Sequence, residues 1–255
     1  VPFAKIGGLE LYYTCQGDGD PIILLHGIFG KGEDWIENNY HHYLHNRTLI
    51  LIDLLGHGRS TKSTNIVDYF PNNQVMQIQA VIDQENIDTA KVMGYSYGGR
   101  MAIAYAIKYP GKTQELIVGG MHPYPVRNVF NQIRKRQQII AEGMSSWINH
   151  LTSAGVQLDD YTRDVLLSND PKALNTMDES ILQWQGFGDT LKKLQASSIH
   201  QIFYAGERDN SYLPKAKEYC DSAKQAEFIQ ISDGNHFTAF SDASQWARSV
   251  KPIMI

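Results

Sequence analysis

KVMGYSYGGRMAIAYAIKYP, residues 91–110, opens on the short apolar run Val92-Met93, passes through Gly94-Tyr95-Ser96-Tyr97-Gly98-Gly99 and continues as a small-residue helical pattern to Tyr109-Pro110. The pattern predicts a strand, a very tight turn and a helix, with a serine at the apex of the turn. The glycines have a steric cause. A sharp strand-to-helix turn forces the apex residue into an unfavourable backbone conformation and presses its neighbours against strand and helix, where a Cβ would collide. Such a turn lifts the Ser96 hydroxyl clear of the backbone at a helix N-terminus, whose free N–H groups and dipole favour negative charge.

Gly94-x-Ser96-x-Gly98 is the G-x-S-x-G pattern of a nucleophile elbow, and its placement between an apolar strand and a helix is the context that pattern requires. The rest of the chain supplies an alternating strand and helix rhythm. Residues 3–15 predict two short strands around Gly7-Gly8, a hairpin signal. The continuous apolar run at 21–25 and the stretch 47–55 suit strands buried on both faces of a parallel sheet. Residues 34–45 carry Trp35, Ile36 and Leu44 at helical spacing, and 73–85 carries a stripe of Val75, Ile78, Val81 and Ile82. A strand at 115–120 follows the elbow helix. The rhythm then breaks: residues 121–188 are helical in pattern with no strong strand. It resumes with a strand at 199–205, a helix at 214–223, a strand at 226–231 and a helix at 243–250. The expected architecture is α/β, a mostly parallel eight-stranded sheet with helices on both faces. Residues 1–120 and 189–255 form its core, and a helical cap, 121–188, is inserted after strand 6. A helical insertion at the carboxyl edge of a sheet lies where open α/β sheets keep their ligands.

Bulk properties exclude several classes. At 255 residues the chain can bury a substantial core as one domain, and 42% hydrophobic with 20% charged residues is ordinary for a globular protein. A net charge of −4 gives no basic footprint for nucleic acid. The basic cluster Arg134-Lys135-Arg136 is read as a solvated helix face. No apolar run approaches the ~18–20 residues of a membrane span. The chain starts Val1-Pro2-Phe3 without a charged-then-apolar leader, so a cytoplasmic location is the default expectation. Cys15 and Cys220 lack metal-ligand spacing and are expected as buried or half-buried free thiols. His41, His42 and His45 include an i,i+4 pair without a carboxylate or thiolate partner, and no metal or other cofactor is assigned.

A serine hydroxyl needs a base to become nucleophilic, and the base needs an orienting acid. His236 lies in the Gly234-Asn235-His236 loop just past the last strand, and Asp209 follows the preceding strand in Gly206-Glu207-Arg208-Asp209. Glu207 is the alternative acid, and Asp233 is read as a turn former. Acyl transfer also needs two N–H donors aimed at the developing oxyanion. The residue after the nucleophile, Tyr97, supplies one. Ile28, in the strand-end loop His26-Gly27-Ile28-Phe29-Gly30, is assigned the other, with Phe29 as runner-up and His26 as an anchor of the loop. The loop Gly56-His57-Gly58-Arg59-Ser60 lacks the spacing of a nucleotide-binding fingerprint and is read as a turn beside the site.

These features together resemble an α/β-hydrolase-fold enzyme with a helical cap over nearly the whole chain: the HGxxG-type loop at 26–30, the segment from Asp53 to Ser60, the elbow, Gly206-x-x-Asp209 and Gly234-Asn235-His236. The resemblance implies Ser96 as nucleophile, His236 as general base and acid, and Asp209 as orienting carboxylate. Gly94-Tyr95-Ser96-x-Gly-Gly-Arg100 and Gly119-Gly120-Met121-His122-Pro123 are also similar to the menaquinone-pathway synthases that eliminate pyruvate with such a triad. In that family the arginine four past the nucleophile helps bind a carboxylated substrate. Arg100 therefore has two readings, a structural salt bridge and a substrate-carboxylate clamp. Phe29, Tyr95, His122, Tyr124, Trp147 and Trp184 are candidate pocket residues, and Arg127 is a possible second basic group there.

The leading functional expectation is a serine hydrolase acting on a small or medium ester, thioester or lactone, a small-molecule substrate. A C–C hydrolase or lyase using the same three residues is the alternative, and a non-catalytic ligand receptor on the same fold is the third reading. Oligomeric state is not legible.

Overall fold

A computed structural model describes residues 3–254. The reading of a leaderless start rests in part on Val1 and Pro2, which lie outside the described residues. The strands are β1 (Phe3–Ile6), β2 (Leu9–Gln16), β3 (Asp20–Leu25), β4 (Arg47–Ile52), β5 (Ala90–Tyr95), β6 (Thr113–Gly119), β7 (His200–Gly206) and β8 (Ala226–Ile231), in one sheet of order β1-β2-β4-β3-β5-β6-β7-β8. β2 pairs antiparallel with β1 and β4, and every other pairing is parallel. The single-turn helices α1 (Asp34–Glu37) and α2 (Tyr40–Tyr43) lie between β3 and β4. α3 (Pro71–Gln84) precedes β5 and α4 (Tyr97–Lys108) follows it. α5 (Phe130–Ala141), α6 (Met144–Ser153), α7 (Asp160–Leu167), α8 (Pro171–Gln183) and α9 (Thr190–Gln195) come between β6 and β7. α10 (Leu213–Ser222) joins β7 to β8, and α11 (Thr238–Ser241) and α12 (Ala243–Ser249) follow β8.

The continuous apolar run of β3 has a direct cause: its side chains alternate between two cores, and all four from Ile22 to Leu25 are buried. Ile22 and Leu24 pack with Trp35, Tyr40 and Trp246 on the face of α1, α2 and α12. Ile23 and Leu25 pack on the opposite face, with Ile78 of α3 and Ala102 of α4. The sheet order places the site. The chain goes from β3 to β4 on one side and then to β5 on the other, so strand direction of travel reverses at β3, and a crevice opens at the carboxyl ends of β3 and β5. The loop beginning at His26 and the Ser96 turn leave the sheet at those two ends.

Several expected elements differ in detail. The strand predicted over 47–55 stops at Ile52, because the Asp53 carboxylate turns to accept Gly32 N at 2.7 Å and Arg59 N at 2.8 Å, tying two loops together. The helix expected over 34–45 breaks into α1 and α2 at Asn38-Asn39, where Asn39 takes the left-handed φ of 67°. The cluster Arg134-Lys135-Arg136 is only partly a solvated face: Arg136 turns inward and grips the fully buried Asp178 of α8 with both arms of its guanidinium. Cys220 is buried as expected, whereas Cys15, near the carboxyl end of β2, is exposed; both are free thiols. α9 falls past residue 188 and packs on α4.

At the opposite end of the strands from the crevice, four neighbouring strands carry a ladder of alternating charge. Lys91 of β5 meets Glu115 of β6 at 2.6 Å, Glu115 meets His200 Nδ1 of β7 at 2.8 Å, and His200 Nε2 meets Glu227 of β8 at 3.1 Å. Burial alone would lower the His200 pKa, but hydrogen bonds and charge from Glu115 and Glu227 outweigh it and leave the pKa raised above 6.5. A raised folded-state pKa stabilises the fold fully below the unfolded value and ceases to do so as pH rises through the folded value. The melting temperature of the parent protein should therefore exceed that of His200→Gln most near pH 6, with the gap narrowing toward pH 9. Thermal melts across that range check it, and a gap independent of pH would refute it.

Candidate active site

β5 ends at Tyr95, and Ser96 turns the chain into α4 with φ 51° and ψ −114°, a conformation L-residues rarely adopt. Two backbone hydrogen bonds hold it there, Ser96 N to Gly119 O at 2.8 Å and Arg100 N to Ser96 O at 3.2 Å. The flanking glycines are needed for space, as the sequence predicts. A Cβ on Gly94 would lie 2.2 Å from Gly98 O, and one on Gly98 would lie 2.1 Å from Leu25 O.

Ser96 Oγ lies 3.0 Å from His236 Nε2, and His236 Nδ1 lies 2.7 Å from Asp209 Oδ2. Residues separated by 140 and 27 positions thus form one hydrogen-bonded relay. The buried carboxylate of Asp209 can only accept, so Nδ1 carries the proton and Nε2 is left to accept from the serine hydroxyl. Close approach of two glycines lets the acid and base loops meet: a Cβ on Gly206 would stand 2.5 Å from the Gly234 backbone. Asn235 folds the base loop by accepting Phe237 N and Thr238 N on its Oδ1 at 2.8 and 3.0 Å. Glu207, the alternative acid, is excluded from the relay; its carboxylate accepts Asp233 N at 3.0 Å and closes the turn in which Asp233 takes a φ of 55°.

The loop after β3 forms a turn closed by Gly30 N to Gly27 O at 3.1 Å, with Phe29 at φ 70°. A Cβ on Gly27 would lie 3.6 Å from Ser96 Cβ, so the backbone leading into Ile28 packs directly on the elbow. Tyr97 is the first residue of α4, where an N–H has no acceptor within its own helix. His26 is the loop anchor: Nε2 accepts Leu54 N at 3.0 Å, leaving Nδ1 to donate to Gly27 O at 2.7 Å, and complete burial lowers its pKa, keeping it neutral.

The remaining candidates divide. Tyr95 is not a pocket residue: it is buried on the far face of the sheet, and its hydroxyl donates to the His236 carbonyl at 2.5 Å, bracing the base loop. Tyr124 points toward α10, its ring under Lys215 Nζ at 5.7 Å. Arg127 is exposed. The Trp147 ring packs tilted against Phe29, with centroids 5.3 Å apart. Trp184, Tyr97 and Arg100 line a narrow cleft between α4 and α8. Arg100 is buried with its guanidinium over the Trp184 ring at 4.6 Å, and among the described residues no carboxylate pairs with it, which removes the salt-bridge reading. The nearby acid, Asp178, is engaged by Arg136. Burial and the neighbouring Arg100 charge push the His122 pKa down to about 4, so this imidazole is neutral at pH 7. Tyr212 contacts the relay and is missed by the motifs. Its ring stacks at 4.9 Å on His236 and its N–H donates to Asp209 Oδ1 at 3.3 Å, the only sequence signal being its position three residues past the acid.

Residues 20–149 match the family model described as alpha/beta hydrolase fold, half of the chain. The chain belongs to the alpha/beta hydrolase fold family. Among relatives of this alpha/beta hydrolase, the 2-succinyl-6-hydroxy-2,4-cyclohexadiene-1-carboxylate synthase of Pectobacterium atrosepticum is 26% identical over 213 residues, 78% of this chain and 81% of the relative. The (lyso)-N-acylphosphatidylethanolamine lipase of Mus musculus is 34% identical over 119 residues, 44% of this chain. The matching part spans only 33% of the lipase's length, so the likeness there is confined to part of that protein. A carboxylesterase structure from Nitrososphaera gargenis superposes with a TM-score of 0.85 at 18% identity, covering 97% of this hydrolase and 95% of that chain, a likeness of fold.

Proposed function

We propose that this alpha/beta hydrolase is a serine hydrolase that cleaves a small or medium carboxylic ester, thioester or lactone through an acyl-enzyme. The observation that carries this reading is the relay from Ser96 Oγ through His236 to Asp209. Ser96 Oγ attacks the carbonyl carbon as His236 Nε2 takes its proton. The amides of Ile28 and Tyr97 hold the oxyanion, and His236 gives the proton to the departing alcohol or thiol. Water then attacks the acyl group, His236 takes a proton from it, and the acid leaves with the Ser96 hydroxyl restored. Asp209 keeps the imidazole in the required tautomer and stabilises its charged form. We assign residues 121–188 as the cap over this site, with Trp147, Trp184 and His122 supplying apolar and aromatic surface. A fluorophosphonate probe should label the protein on Ser96, read by peptide mass, and short-chain p-nitrophenyl esters should release p-nitrophenol. Failure of both overturns the reading.

A second reading is favoured by one observation, the buried guanidinium of Arg100, which makes no ion pair with a carboxylate among the described residues. A cation without a protein carboxylate suits a carboxylated substrate, as in the synthases to which the chain is similar. Here the same relay would act in elimination. Probe labelling of Ser96 with inertness toward simple esters would favour this reading.

A further inference from the structure

The oxyanion loop is held from two sides. From the sheet side, His26 and Asp53 anchor its two ends. From above, helical-segment side chains reach down to it. Asn169, just past α7 and 94% buried, donates from Nδ2 to the carbonyls of Phe29 and Val165, each at 2.8 Å. Two carbonyl oxygens at that distance require an N–H donor, which fixes the amide orientation and leaves Oδ1 buried without a partner among the described residues. A buried amide oxygen left unsatisfied asks for a compensating reason. Tyr161 of α7 adds a second tie, its hydroxyl donating at 2.8 Å to Asp34 Oδ1, while Asp34 Oδ2 accepts Lys31 N at 3.1 Å.

The tied residue is the strained one. Phe29 has a φ of 70°, a value that favours glycine, and it stands inside the turn that sets the direction of the Ile28 and Phe29 amides. A turn of this kind can relax by rotating its peptide planes, which would swing the donor away from the developing oxyanion. The Phe29 carbonyl shares a peptide plane with Gly30 N, which closes the turn onto Gly27 O, so holding that plane from outside fixes the far end of the turn and limits how the preceding planes that carry the Ile28 and Phe29 amides can turn. Packing of the Phe29 ring against Trp147, with the Arg136 guanidinium 5.7 Å from its centroid, secures the same residue from its side chain.

We propose that Asn169 is a positioning residue of the oxyanion hole, through which the helical segment completes a site built on the sheet. The proposal rests on the serine-hydrolase reading. Asn169→Ala removes the donor, and Asn169→Leu removes it in a side chain of the same branched shape should the alanine variant not fold. Steady-state turnover of p-nitrophenyl butyrate should show kcat lower by about 10- to 100-fold in either variant, less than or comparable to the loss of a direct oxyanion donor, with KM changed by less than about 3-fold. Affinity for an alkyl boronic acid, whose tetrahedral Ser96 adduct needs the same donors, should fall by a similar factor. Tyr161→Phe should lower kcat by a smaller factor in the same sense. A residue that only packs would lower the melting temperature while leaving kcat and boronate affinity of the folded protein unchanged, and that outcome overturns the proposal. An active parent protein with Asn169 variants within 2-fold in kcat overturns it alone. A parent protein that neither turns over esters nor takes the fluorophosphonate overturns the serine-hydrolase reading and this proposal with it.

Discussion

Ser96→Ala should lower kcat on p-nitrophenyl esters by about 10⁶ and abolish fluorophosphonate labelling, and His236→Ala should cost about as much. The size of the effect follows from the relay being one unit. Without the imidazole the hydroxyl keeps its proton, and without the hydroxyl the imidazole has nothing to activate. The double variant should therefore be no slower than either single one, with a residual rate about 10³–10⁴ above water left to the oxyanion donors and substrate binding. Asp209→Asn should cost about 10⁴, because an amide at 2.7 Å from Nδ1 offers its N–H there and selects the wrong tautomer. Steady-state kinetics of the four proteins check these values. Additive losses would mean that Ser96 and His236 act in separate steps, and an unchanged Ser96→Ala would remove serine from the chemistry. Ser96→Ala keeps a Cβ at the strained φ of 51°, so its folded stability should stay close to that of the parent protein, which separates lost chemistry from lost structure.

What could be read from the sequence follows how local each cause is. Gly94 announces the elbow because the collision that demands glycine there, with Gly98 O, lies within five residues, whereas Gly98 answers to the distant end of β3 and is legible only through its place in the G-x-S-x-G pattern. Asp209 and His236 are legible for a related reason: each sits in a Gly-containing loop immediately past a strand, and parallel strands bring such loops to one edge. Strand alternation places Tyr95 with Met93 on the face opposite the pocket, so its cause is local as well. Arg100 stacked on Trp184, Arg136 paired with Asp178 and Asn169 on Phe29 all join the helical segment to distant parts of the chain. No spacing rule encodes those contacts. They depend on how α5 to α8 settle over the sheet, and an isolated Arg or Asn in a helical pattern looks the same whether it faces water or a buried partner. The helix over 34–45 failed for a local cause of another kind, an asparagine at 39 able to take the left-handed conformation that ends a turn.

Gly98→Ala should destabilise the protein by about 4 kcal/mol or more, beyond the usual range for a single substitution. In an ordinary helix the same change stabilises, by about 1 kcal/mol, because alanine loses less backbone entropy. The sign is therefore diagnostic. Gly98 lies in the first turn of α4, and its backbone does not need a positive φ, so conformational strain predicts no penalty. Contact does: the new Cβ would stand 2.1 Å from Leu25 O, 2.5 Å from His26 O and 2.5 Å from Leu25 C. All three are backbone atoms, at the end of β3 where Leu25 pairs with both Ile52 of β4 and Gly94 of β5. Relief would require moving β3 in the middle of the sheet or lifting α4 off it, and either displaces Ser96 from His236. Gly111→Ala provides the control, since its Cβ would meet nothing within 4 Å and it needs no positive φ. For a chain of this size about 4 kcal/mol corresponds to a fall of roughly 8–16 °C in melting temperature, against a change near zero for Gly111→Ala. Melting curves within about 2 °C of each other for the two variants would mean that α4 can retreat from β3 at little cost. The tight strand-to-helix junction would then not be what holds Ser96 in its unusual backbone conformation.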